Sequence, residues 1–324
     1  MDALRAVARW ASVAGCVLAA GCASAPRSPD GFTFAVMGDT PYSPGEERPL
    51  SEMIERMNGE PLAFVVHVGD IKAGSRAPCT DELFAKRRAQ LDASSHPMVY
   101  TPGDNEWTDC RRKSNGGGNP LERLAKLREM FFAGRASLGQ GTLETTAQTE
   151  AAPGCGAYPE NRSWSYGRVR FVTVNVPGSH NNEGFDADSD AEARCRNEAN
   201  ARWIDQAAGV CETGGERALV IATQADPWDA DVPAYRRLIA QVGEVARRLG
   251  RPVLFVHGDT HRYRFDAPFT DASGKPIGNA RRLETYGSPF VGWVRVVADP
   301  DDPAIFRPEP MLEALVPSLP HGAD

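Results

Sequence analysis

Val66-His67-Val68-Gly69-Asp70 is a short apolar run that halts at Gly-Asp. Three further runs end the same way: Val36-Met37-Gly38-Asp39, Tyr100-Thr101-Pro102-Gly103-Asp104 and Phe255-Val256-His257-Gly258-Asp259. An apolar run cut off by Gly reads as a buried strand meeting a turn, and the periodic stretches between the runs read as helices. In an α/β fold, ligands collect beyond the carboxyl ends of the strands, so the four endings bring Asp39, Asp70, Asp104 and Asp259 to one site. Carboxylates held together repel, and their pKa values climb unless a cation compensates. A divalent metal is the simplest such cation. A single Gly-Asp is ordinary turn chemistry with the Asp capping a helix, but four at strand ends favour a shared site.

Around these endings, strands are expected near 32–38, 62–69, 97–102, 168–176, 218–224 and 252–258, and helices near 48–58, 80–93, 120–134, 187–208 and 233–249. In the last helix, Tyr235, Leu238, Ile239, Val242, Val245 and Ala246 keep helical spacing and Gly250 follows its closing arginines. Residues 135–160 have few large apolar groups and read as an excursion over the surface. Beyond residue 261 the texture is β-like at 263–269, 282–286 and 292–297. No repeat at a solenoid period occurs. The expected architecture is α/β: one domain over residues 31–310, a two-sheet β-sandwich of mixed strands flanked by α-helices, followed by a C-terminal tail at 311–324.

The first residues read as an export signal. Arg5 and Arg9 precede an apolar stretch at 10–20 that is too short for a permanent span, and Leu18-Ala19-Ala20-Gly21-Cys22 follows. Small residues before a Cys resemble the lipobox of bacterial lipoproteins. Residues 1–21 are then the signal peptide, Cys22 is the lipidated first residue, and 22–30 form a polar tether. A plain secretory signal cleaved near residues 23–25 is the other reading. Either way the chain is exported. Without an Asp after Cys22, the lipobox resemblance implies the periplasmic side of the outer membrane, with membrane contact through the lipid alone.

The 324 residues, 41% hydrophobic and 24% charged, are ordinary for a globular protein with a substantial core. The net charge of −7 and the lack of a Lys/Arg block leave no electrostatic footprint for nucleic acid. Of seven cysteines, Cys16 lies in the signal and Cys22 at the lipobox, and an oxidising compartment makes disulfides the default for the rest. Cys79 and Cys110 each follow a Gly-Asp ending, so their loops share a rim and the two are expected to pair. Cys195 with Cys211 is the second expected pair. The absence of any C-x-x-C argues against cysteine-ligated zinc.

Two endings continue into polar stretches. In His257-Gly258-Asp259-Thr260-His261, an extended backbone would put His257, Asp259 and His261 on one face. In Gly103-Asp104-Asn105-Glu106-Trp107, three polar ligand types stand in a row. Imidazole with carboxylate suits Zn, Fe and Mn, while carboxylate-rich sites favour Mg, Mn or Ca.

With these blocks the chain resembles the calcineurin-like metallophosphoesterases, whose motifs run Asp-x-His, Gly-Asp, Gly-Asn-His-Glu/Asp, His and Gly-His-x-His at strand ends. Order and spacing match from about residue 32 to residue 261. The resemblance implies a helix-flanked β-sandwich and two metal ions bridged by the second-block Asp. It also implies a metal-activated water attacking phosphorus in a phosphate mono- or diester, either a small molecule or nucleotide-like. By it Asp39 is the first-block ligand and Asp70 the bridging one. Asp104 takes the Asn ligand position, Asn105 the place of the catalytic His, and Glu106 that of its supporting acid. Gln224 stands for the fourth-block His, Asp259 for the first His of the last block, and His261 matches the second.

Pro41 stands where the first-block His belongs and cannot bind a metal, although Tyr42 could reach a cation through its phenol. The donors have moved from nitrogen to oxygen, which favours Mn, Mg or Ca over Zn or Fe, in one or two ions. Asp39, Asp70 and His261 could hold one alone. Asn105 cannot protonate a leaving group, and His257 and His180 are the candidates for that role. His180 lies in Pro177-Gly178-Ser179-His180-Asn181-Asn182, which reads either as a donor loop for phosphate or as an Asn-rich turn. Lys72 reads as a surface residue with an anion contact as the rarer case, and His67 as a core residue. The competing class is a degenerate, non-catalytic binding lipoprotein; a structural envelope lipoprotein is a third. Neither a Gly-x-Ser-x-Gly nor a phosphate-cradling Gly-x-x-x-x-Gly-Lys occurs.

Overall fold

The computed structural model describes residues 31–134, 137–149 and 154–317. The signal segment, Cys22 and the tether lie outside the described residues, as does the second half of the C-terminal tail, 318–324.

Alternation along the first strand sets the layers. In β1 (Phe32–Met37), Phe32, Phe34 and Val36 point to one buried cluster, while Ala35 and Met37 point to another. The same split recurs in β2 (Val65–His67), where Val65 and Val66 part company, and in β7 (Ala218–Ala222) and β8 (Val253–His257). A strand covered on both faces needs apolar groups at every position, so these runs are continuous rather than alternating.

Two mixed sheets result. One has the order β12-β11-β1-β2-β3, using β3 (Met98–Tyr100), β11 (Phe290–Ala298) and β12 (Phe306–Leu315). The other runs β4-β5-β6-β7-β8-β10-β9, using β4 (Thr146–Gln148), β5 (Tyr158–Tyr166), β6 (Val169–Thr173), β9 (Arg264–Asp266) and β10 (Ala280–Glu284). β1, β2 and β3 are parallel neighbours, as are β6, β7, β8 and β10. Phe34, Phe64, Val66, Trp164, Phe171, Val220, Leu254 and Val256 fill the space between the sheets. Helices α1 (Pro44–Asn58), α2 (Asp81–Leu91) and α3 (Pro120–Phe131) cover the outer face of the first sheet. α5 (Ala187–Gly214) and α6 (Pro233–Leu249) cover that of the second, and the one-turn α4 (Gly178–Asn181) precedes them. This is the α/β two-sheet sandwich with flanking helices.

Several boundaries differ from the sequence reading. α1 begins four residues earlier than expected because Pro44 occupies its first turn, where proline's missing N–H costs nothing. β5 arises at the end of the stretch read as a surface excursion. Its Glu160, Asn161, Arg162 and Ser163 are buried, a polar run that gives no apolar signal, and hydrogen bonds meet its needs. Arg128 donates twice to Glu160 at 2.6 and 2.9 Å, and Asn161 donates to Gln148 and Asn200, both at 2.8 Å. β12 continues to Leu315, past residue 310, with Pro308 and Pro310 on an edge strand that needs no outer ladder.

Cys79 and Cys110 form a disulfide with Cα atoms 5.8 Å apart. Cys195 pairs with Cys155 rather than with Cys211, which is free and buried against β7. The expected Cys195–Cys211 bond fails because both residues lie on α5, sixteen positions and therefore about 24 Å apart at the helical rise. Two disulfides suit an oxidising compartment. Among the described residues no helix is long and apolar enough to cross a membrane.

Candidate metal centre

The turns after β1, β2, β3, β7 and β8 meet at one edge of the sandwich. Asp39 N–H donates to Gly69 O at 3.0 Å, Gly258 N–H donates to Gln224 O at 3.0 Å, and Asp259 N–H donates to Asp39 Oδ1 at 2.9 Å. Asp39, Asp70, Asp259 and His261 all carry positive φ, at 53°, 59°, 78° and 67°. Non-glycine residues avoid this region, and where a fold holds several there, a functional site is the usual reason. Glycines give the carboxylates room: a Cβ on Gly103 would lie 2.0 Å from Asp70 Oδ1, and one on Gly258 would lie 2.0 Å from Asp39 Oδ2.

Asp39, Asp70 and His261 each place a ligand-type atom within 4.8 Å of the others. His261 Nδ1 lies 2.6 Å from Ser288 O. A carbonyl only accepts, so Nδ1 carries the proton and Nε2 offers its lone pair, 3.7 Å from Asp39 Oδ1. Asp39 Oδ2 is buried without a hydrogen-bond partner. Burial, then the neighbouring carboxylates, push Asp39 and Asp70 well above the usual carboxylate range, and burial pushes Asp259 the same way. Burial also lowers His261, leaving its imidazole neutral and able to ligate. Two carboxylates, one oriented imidazole, an orphaned buried oxygen and carboxyls raised for want of a counter-charge together suit a divalent cation.

The surroundings of Asp70 and Asp259 are different, because neutral donors meet them there. Tyr42 Oη donates to Asp70 Oδ2 at 2.8 Å and accepts from Asn105 Nδ2 at 2.7 Å. Gln224 Nε2 lies 3.2 Å from Asp70 Oδ2 and 3.3 Å from Asp259 Oδ1, with its own oxygen held by Gly178 N–H at 2.6 Å. Asp226 N–H donates to Asp259 Oδ2 at 2.9 Å. An amide and a phenol thus stand where the resemblance implied imidazoles.

Asp104 is reached from α4, where residues 179–182 all have positive φ. Ser179 Oγ lies 2.7 Å from Asp104 Oδ2 and 2.6 Å from Asp109 Oδ1. One hydroxyl has one proton, so one of the two contacts needs a proton on a carboxyl. Asp109, pushed up to about 7 by burial and by Asp104, is suited to carry it. Ser179 stands out in the sequence only as a member of the loop at 177–182, with no role of its own, and Asp109 is marked by nothing but its nearness to a Gly-Asp ending.

Glu106 is a brace. It is fully buried, and its Oε1 accepts from Tyr100 Oη and Gly103 N–H at 2.7 Å and from Asp70 N–H at 3.1 Å, fixing two site loops against each other. Lys72 is buried rather than at the surface, its ammonium held by the carbonyls of Asn105 at 2.6 Å and Ala73 at 2.8 Å. His67 is buried in the strand and accepts from Gly69 N–H at 3.1 Å. His180 is exposed on α4. His257 is not brought into this group: β8 ends at His257, the positive φ of Asp259 and His261 breaks the extended run, and the two-residue period stops applying. Burial lowers its pKa to about 4.

No family model matches the chain, and no curated protein matches it. Among solved structures it is similar to GAP50, the anchor in the inner membrane complex of Plasmodium, at 8% identity over 88% of this chain and 89% of that one, with a TM-score of 0.48. It is also similar to a phosphatase from Mycoplasma pneumoniae, at 8% identity over 87% and 93%, with a TM-score of 0.43. At these values neither likeness bears on the chemistry of the site.

Proposed function

We propose that the chain is an exported metal-dependent phosphoesterase that hydrolyses a phosphate mono- or diester, anchored through lipid on Cys22 at the periplasmic face of the outer membrane. The observation that carries this reading is the convergence of Asp39, Asp70 and His261 around the orphaned Asp39 oxygen. A divalent ion there, Mn, Mg or Ca by the oxygen-rich donors, supplies Lewis acidity and lowers the pKa of water toward about 7. The protein's own groups do the rest. Asn105, whose amide keeps a second N–H beyond the one given to Tyr42, offers a donor to phosphoryl oxygens while Tyr42, bonded to Asp70, holds it in place. The Asp104–Ser179–Asp109 chain holds a proton near neutrality that a leaving group can take.

The test is hydrolysis of an activated aryl phosphate after chelation and addition of Mn. Asp70→Asn should reduce the rate at least about 100-fold, as expected when a transition-state charge stabiliser is lost. Equal rates for wild type and variant end the hydrolase claim. A second reading, a non-catalytic binding protein, is favoured by the hydrogen bonds that satisfy Asp70 and Asp259 with Gln224 and Tyr42. It expects a single bound cation and no hydrolysis in either protein.

A further inference from the structure

β7, β8 and β10 are adjacent parallel strands, and His257 and Glu284 are paired at the ends of the last two. Phe255 and Ala280, two and four residues before them, belong to the outer cluster beneath α6. By the two-residue period, His257 and Glu284 share that outer face. Asp226, just beyond β7, completes a group of three whose ligand-type atoms lie within 4.8 Å of one another. All three are at least 97% buried.

Each of the three is fastened by one atom and leaves another less engaged. His257 Nδ1 lies 2.8 Å from Gly258 O, so Nδ1 bears the proton, and Nε2 is buried with no hydrogen-bond partner. Glu284 Oε1 accepts from Thr260 Oγ1 and from Arg262 N–H at 3.1 Å, while its Oε2 has no hydrogen-bond partner. Asp226 Oδ1 accepts from Trp228 N–H at 3.0 Å. Backbone groups that pin one side of an imidazole and of each carboxylate are how proteins orient metal ligands.

Two guanidiniums border the group. Arg264 donates a long hydrogen bond to Asp226 Oδ2 at 3.4 Å and stands 3.5 Å from Glu284 Oε2, with its side chain 32% exposed. Arg282 stands 3.7 Å from Asp226 Oδ1 but gives its close bidentate pair to Asp266.

We propose that Asp226, His257 and Glu284 form a second cation site, separate from Asp39, Asp70 and His261. The site takes a first-row divalent ion of the Mn or Zn class, and Arg264 competes with that ion for the two carboxylates. One nitrogen and two oxygen donors suit those ions. Two carboxylates neutralise a divalent charge once Arg264 withdraws from them, and its partly exposed side chain is the group that yields at the entrance.

The experiment is equilibrium dialysis of the full chain against Mn or Zn with metal analysis, and Co(II) absorption as a report on nitrogen ligation. The Asp39→Asn chain, with its first site disabled, should still bind one cation, and adding Glu284→Gln or His257→Gln should remove it. Arg264→Gln, a substitution at a partly exposed side chain, should tighten the remaining site at least about tenfold, because it removes a positive charge that competes with the ion for both carboxylates. An Asp39→Asn chain that binds no cation overturns the proposal, as does an affinity that Arg264→Gln leaves unchanged. Because the Asp39→Asn background removes the proposed catalytic ion, failure here and failure of the phosphoesterase reading are read separately.

Discussion

Asp39 has one carboxylate oxygen committed to a backbone amide and another buried with nothing to bond. That asymmetry, with Asp70 and Asp259 close by, makes the edge of the sandwich electrostatically costly. Burial raises all three carboxyls, so the folded chain holds protons that the unfolded chain releases above about pH 4. The native state then binds more protons than the unfolded state, and this contribution to stability falls as pH rises through the folded values. Chelated protein is therefore expected to melt lower at about pH 8 than at about pH 5. Added Mn should restore more at the higher pH, because ligands bind deprotonated. Thermal melts with and without Mn check this; an Mn shift of equal size at both pH values contradicts it. The sequence announced these carboxylates through their Gly-Asp endings. It did not announce the turn at Asp259 that parts His257 from His261, since nothing in the residue types fixes φ there.

At the level of elements, the site depends on turns that only glycine allows. Gly103 lies in the turn after β3, where an added Cβ would also come within 2.5 Å of Asp70 N. Gly103→Ala should therefore displace Asp70 and weaken Mn binding at least about tenfold, as loss of ligand orientation does elsewhere. Affinity equal to wild type would show that the turn tolerates the methyl and does not hold Asp70 in place. The Cys79–Cys110 bond joins the segments following β2 and β3 across a separation of 31 residues. Replacing both cysteines by alanine should cost about 3 to 4 kcal/mol on the loop-entropy estimate, measured by urea denaturation. That pairing could be foreseen because both cysteines follow strand endings on one rim. The Cys155 partner of Cys195 could not, because it lies in the polar stretch before β5, where neither residue spacing nor apolar pattern gives a signal.

For the molecule as a whole, the sandwich was readable where strands are covered on both faces, as in β1, β2, β7 and β8. It was hidden where burial is polar, as in β5, whose Glu160 and Asn161 depend on partners from α3, β4 and α5. The architecture brings turns from both sheets to one edge, so that Asp39 and Asp70 from one meet Gln224, Asp259 and His261 from the other. The proposed hydrolysis rests on a cation at that junction. The direct measurement is an anomalous difference map from crystals grown with Mn. A peak about 2.0 to 2.3 Å from oxygens of Asp39 and Asp70 and from His261 Nε2 is the expected result. A map with no peak between those three residues contradicts the account.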